Sequence, residues 1–223
     1  MNTTPHQLRA LRWGSVLLIA TLLADLFEYL IDPTGDGSAT KLLDAASHDH
    51  GRMIASAIAL LATSVLVVPA VFVLVRTLED RGRRIGRAAA GLALFGAIGH
   101  AALAALYIGW AALPSPEASS EQLIAAIDRM TDSAWFALLL PFIVAFPLSL
   151  VATFIALVRG RVAPRWTLAP VLAAPVAAFA FPGSDTTKTG VALVLLLIAA
   201  GGLAARAFRQ TPEAAAATAL APA

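Results

Sequence analysis

Three ionisable side chains fall inside stretches too apolar to sit in water: Asp25, Glu28 and His100. Asp25 and Glu28 are three residues apart, which on a helix puts them on one face. A carboxylate facing an imidazole can pass a proton, orient a metal-bound histidine, or simply satisfy both groups away from water. Ionisable residues at membrane depth are costly, so each marks a candidate site. A second polar group, His48-Asp49-His50 with Arg52 close behind, stands before another apolar run, and Asp132 and Trp135 stand at the start of a third. Histidine and carboxylates suit zinc or non-haem iron, and two membrane histidines suit haem. The candidate ligand- or proton-handling residues are therefore Asp25, Glu28, His100, His48, Asp49, His50 and Asp132. The metal candidates among them are His100, Glu28, His48 and His50.

For Asp25, Glu28 and His100, mutual satisfaction inside a bundle ranks ahead of a proton or substrate relay, and the relay ahead of metal or haem ligation. His48 and His50 read first as solvated loop, because alternate residues on a helix point to different faces. The chain has no His-Glu-x-x-His and no paired-histidine helix, so no cofactor is predicted. Asp32-Pro33-Thr34-Gly35-Asp36-Gly37-Ser38 imitates the opening of a calcium loop. Its twelfth position is Leu43, where a bidentate acid is required, so calcium is set aside. The absence of cysteine removes disulfides, thiolate metal sites and cysteine nucleophiles.

The elements that must position these residues follow from composition. Of 223 residues, 59% are hydrophobic and 13% charged, against about 25% charged in a soluble domain. A membrane span needs about 20 apolar residues. Six blocks qualify or come close: Trp13–Ile31, Met53–Val75, Ala88–Ala112, Ala134–Val158, Leu168–Phe181 and Gly190–Phe208. The fifth is the shortest and contains Pro170 and Pro175. The expected fold is an all-α, six-span transmembrane bundle forming one domain over residues 1–209, with residues 210–223 as a disordered cytoplasmic tail. Ser119-Ser120-Glu121-Gln122 resembles a capping box opening an amphipathic helix over about 120–130, on or over the outer surface.

Charge sets the orientation. Twelve of the sixteen basic residues fall before span one, between spans two and three, after span four and at or after the end of span six. The remaining connections hold Lys41, Arg52, Arg129 and Lys188 against nine acids. Cytoplasmic loops carry the Lys/Arg excess, so both termini are expected in the cytoplasm. The first run holds Asp25 and Glu28 and lacks a small-x-small cleavage site, so it reads as an uncleaved span rather than a signal peptide. The basic residues lie at membrane edges, which argues for lipid headgroups as partners and against nucleic acid. Ala89, Ala93, Ala97, Ala101, Ala105 and Gly109 recur every fourth residue of the third span. Such a stripe lets helices approach closely, first within one chain and otherwise between copies in a homo-oligomer.

The Arg12-Trp13-Gly14 start, the six spans, the outer loop after the first, and the Val162-Ala163-Pro164-Arg165-Trp166 turn resemble the uncharacterised bacterial multipass family catalogued as domain of unknown function 4386. The resemblance covers most of residues 9–209 and implies a six-span bacterial inner-membrane protein. It carries no functional residues over. The residues themselves favour a non-catalytic or accessory protein with a small amphipathic ligand in an outward-facing polar pocket. A metal- or haem-dependent enzyme using His100 with Asp25 and Glu28 is the alternative, and a proton-coupled transporter the second.

Overall fold

The computed structural model describes residues 4–34, 38–79, 82–114, 119–180 and 185–210. The expected tail beyond residue 210, the end of the fifth apolar block at Phe181 and the glycine-rich stretch 35–37 lie outside them. Helix α1 spans Pro5–Ile31. It starts on a capping box in which Thr4 N–H donates to Gln7 Oε1 (2.9 Å) and Gln7 N–H to Thr4 Oγ1 (3.3 Å). Pro5 sits at the start of the helix, where a missing N–H costs nothing. The apolar run alone placed this start at Trp13. The earlier turns are amphipathic, with Leu8 and Leu11 buried and Arg9 exposed, so hydropathy does not register them.

The remaining helices are α2 (Ala39–His48), α3 (His50–Val75), α4 (Arg83–Ala111), α5 (Ser120–Thr131), α6 (Ala134–Ala137), α7 (Leu140–Arg159), α8 (Leu168–Ala180) and α9 (Asp185–Arg209). No strand occurs among the described residues. Five helices are long and apolar enough to cross a membrane: α1, α3, α4, α7 and the Thr187–Arg209 part of α9. Helix α8 has 13 residues, about 20 Å at 1.5 Å per residue, against a hydrocarbon core of about 30 Å.

The fourth apolar block, expected as one helix over Ala134–Val158, is divided. Ser133 caps the short α6 through Phe136 N–H, the chain turns at Leu138–Leu139, and α7 restarts with Pro141 in its first turn. Pro141 has no N–H and its ring crowds the carbonyl four residues back. An uninterrupted helix is therefore disfavoured here, and proline takes the one helical turn that tolerates it.

The long helices and α8 form a closed ring in the order α1, α3, α4, α7, α8, α9 and back to α1. Five of these junctions are extensive; the seam between α7 and α8 is sparse. The ring's outer face is apolar, with Phe27, Ile58, Val65, Phe95, Val144 and Ile198 all exposed. A surface of this kind belongs in lipid. Contacts at one end tie the arginine-rich segments together. Arg12 donates to the carbonyls of Ala207 (3.1 Å) and Gln210 (2.7 Å), Gln7 to Glu79 Oε1 (3.3 Å) and Arg206 to the Arg161 carbonyl (3.1 Å). At the other end α2 and α5 pack together over a second apolar cluster containing Leu42, Met53, Trp110 and Ile127. The Ser119/Gln122 capping box forms at the start of α5.

Helix α4 sits between α3 and α7, and small residues let it do so. A Cβ on Gly96 would lie 2.7 Å from Phe146 Cα, and one on Gly99 2.7 Å from the Phe142 carbonyl carbon. On the α3 side, Ser64 Oγ donates to the Ala97 carbonyl (2.8 Å). The four-residue stripe follows this packed face only part of the way. Ala89, Ala93 and Ala97 are buried within the chain, Ala101 is half-buried, and Ala105 and Gly109 are exposed. With 3.6 residues per turn, a four-residue repeat drifts by about 40° at each step. The far end of the stripe has rotated off the face that its near end shares with its neighbours.

Candidate functional site

Helix α1 carries Asp25 and Glu28 and ends at Asp32, because Pro33 cannot continue it. These residues stand at positions i, i+3 and i+7, one stripe of a helix. Helix α4 carries His100, Leu103 and Tyr107 at the same spacing. All six line a cavity of about 480 Å³ that residues of α3, α7, α8 and α9 close. The other walls are mainly apolar, among them Leu60, Phe146, Pro147, Pro175, Leu193 and Leu196, with the hydroxyl-bearing Tyr29 on α1 and Thr189 on α9. Ile143, Val144, Pro147 and Val151 on α7 and Ala174, Pro175 and Ala178 on α8 bring the cavity to the sparse seam of the ring.

The two stripes meet like rungs. At the deepest rung His100 Nε2 lies 3.3 Å from Asp25 Oδ1, with both side chains largely buried. His100 Nδ1 donates to the Gly96 carbonyl at 3.1 Å, since a carbonyl can only accept. A hydrogen bond to Asp25 then needs a further proton on Nε2 or on the carboxyl group, so the bonded pair is neutral overall. The imidazole also packs against Phe146, ring centroids 4.3 Å apart.

At the outermost rung Asp32 accepts from Thr34 N–H (3.0 Å) and from the Thr34 hydroxyl (2.9 Å). With that hydroxyl proton used, the Tyr107 hydroxyl, 3.3 Å away, donates to Thr34 Oγ1. The middle rung is different. Glu28 is 8% exposed, faces the same cavity, and meets no side-chain donor among the described residues.

The second sequence-predicted group is not part of this cavity. Exposed His48 bonds Asp44 one turn back, Nδ1 to Oδ1 at 2.9 Å. His50 turns the other way and its Nδ1 donates to the Ala111 carbonyl at the end of α4 (3.1 Å). Asp49 faces Arg52 at 3.9 Å, and Arg52 Nε donates to the Ile31 carbonyl at the end of α1 (3.2 Å). His50 and Arg52 thus cap the C-termini of α4 and α1, where cations and donors meet unpaired carbonyls. Asp132 is exposed at the end of α5. Among the described residues, no three of His, Asp or Glu are grouped as a metal ion requires.

Asp32 and Tyr107 belong to the site although, read along the chain, Asp32 opens a loop and Tyr107 lies within an apolar span. The available signal was the seven-residue spacing from Asp25 to Asp32 and from His100 to Tyr107, two turns on one face. Nothing in the sequence indicated the α7 and α8 walls. Comparison with protein-family models, curated proteins and solved structures finds no match to this chain.

Proposed function

We propose that this chain is a six-pass protein of a bacterial plasma membrane that binds a small amphipathic molecule without transforming it. In this reading both termini are cytoplasmic, α8 crosses as a short sixth pass, and the cavity lies in the outer half of the bundle. The gathering of the arginine-rich segments at one end supports the orientation. The observation that carries the function is the cavity, whose volume falls in the range of small-molecule sites and whose carboxyl groups all stand on α1, facing mainly apolar walls. The sparse α7–α8 seam gives a ligand a route from the lipid.

Both ring nitrogens of His100 are engaged. This favours binding over general base catalysis and over metal or haem ligation by that residue, because each needs a free nitrogen lone pair. Native mass spectrometry of the protein released from a mild detergent tests the reading, with Leu103→Trp as the cavity-filled comparison. The expected result is an amphiphile adduct on the wild type that the variant lacks; identical spectra overturn it.

A further inference from the structure

We propose that the head group this cavity takes is a protonated amine, held as an ion pair on Glu28; the inference rests on the ligand-binding reading above. Three carboxyl groups face the cavity from α1, and no Lys or Arg is among its described lining residues. Two of the three are occupied within the chain: Asp25 shares a proton with His100, and Asp32 accepts from Thr34. Glu28 stands between them, more than nine-tenths buried and without a donor. For a carboxyl group set in a mainly apolar cavity without a protein donor, an N–H donor carrying positive charge is the strongest partner.

The rest of the cavity defines the body of the ligand. Besides the two stripes, the described lining offers Leu60, Phe146, Leu193 and Leu196, the Thr189 hydroxyl and no Lys or Arg. The fitting molecule is therefore a lipophilic ammonium compound, with an apolar body against α7–α9 and N–H groups directed at α1. An anionic or phosphate head would meet Asp25, Glu28 and Asp32 with no Lys or Arg among the described lining residues to offset them. An uncharged alcohol would fill the apolar space and form a single, weaker hydrogen bond with Glu28.

The test uses the full chain in phosphatidylcholine nanodiscs, so that no anionic lipid competes for cations. Equilibrium dialysis against empty nanodiscs measures binding of 2-naphthylmethylamine and of the equally sized 2-naphthylmethanol. The expected result is saturable binding of the amine about tenfold or more tighter than the alcohol, with Glu28→Gln removing that advantage and leaving the alcohol unchanged. Leu103→Trp should expel both probes. Equal affinities for amine and alcohol in the wild type overturn the ammonium assignment and leave the pocket reading standing. Amine binding that Glu28→Gln does not weaken has the same consequence. Failure of both probes to exceed the empty nanodiscs overturns the pocket reading as well. Should Glu28→Gln fail to assemble, the wild-type comparison of the two probes still decides, with Glu28→Asp expected to keep the preference for the amine.

Discussion

Asp25 on α1 and His100 on α4 meet at 3.3 Å although 75 residues separate them, and the two helices flank α3 rather than each other in the ring. The bond therefore crosses the ring's interior and ties two helices that share little other contact. Its second anchor is the Gly96 carbonyl, which holds the imidazole plane. Removing one partner leaves the other buried without compensation, whereas removing both leaves only a void.

A double-mutant cycle measures this coupling. His100→Ala and Asp25→Ala are each expected to lower unfolding stability by ~3–5 kcal/mol, the usual result of breaking a buried pair from one side. The double variant should lose ~1–3 kcal/mol less than the sum. Strict additivity in a detergent-unfolding titration would show that the two groups do not act as a pair.

Glu28 contributes nothing to stability that the structure reveals. Glu28→Leu, similar in bulk and free of the unpaired carboxyl group, should raise unfolding stability by ~1–3 kcal/mol while abolishing amine binding. Such an opposition of stability and function is expected where a site keeps a buried polar group without a protein partner. A destabilised Glu28→Leu protein would mean that the carboxyl group has a structural partner.

The contact of α4 with α7 depends on two absent side chains. Gly99→Ala should destabilise the bundle by ~1–3 kcal/mol, because its Cβ would meet the α7 backbone rather than a side-chain tip. Gly109→Ala is the control. Nothing lies within 4 Å of its Cβ position, so it should be neutral or stabilising by up to ~1 kcal/mol through helix propensity. The order of the two melting temperatures checks the point.

Arg12 closes the far end of the bundle. Its guanidinium bonds the last carbonyls of α9 and stands 5.5 Å from the centroid of the Phe208 ring. Arg12→Met should cost ~0.5–1 kcal/mol by removing a cation from a helix C-terminus. Hydrogen exchange should accelerate at Arg206–Arg209 and remain unchanged at His100.

The residues themselves determined the solvent and the local breaks. Apolar blocks longer than a soluble core needs, and the low charge content, require lipid whatever the packing. Pro33 ends α1 and the Ser119/Gln122 pair starts α5 through bonds to near neighbours, so both are readable along the chain. Pro141 is equally local, yet its effect was hidden because hydropathy counts it within an apolar block and ignores its missing N–H. The stripe of small residues on α4 was legible as a packing device, but not its extent, which depends on how a four-residue repeat drifts around a helix.

Only the tertiary structure decided which acids share a cavity. The sequence grouped Asp25, Glu28 and His100 as ionisable residues inside apolar runs, and that alone left open which of them touch. Whether His100 reaches Asp25 or Glu28 depends on the rotation of α1 and α4 about their own axes, and that is set by their packing with α3 and α7. The same packing keeps His48, Asp49 and His50 at helix ends rather than in the site: His50 meets the Ala111 carbonyl of α4, Asp49 faces Arg52, and His48 meets Asp44 of its own helix. A pocket is built by side chains from many elements, and no linear spacing records how six helices close around one space.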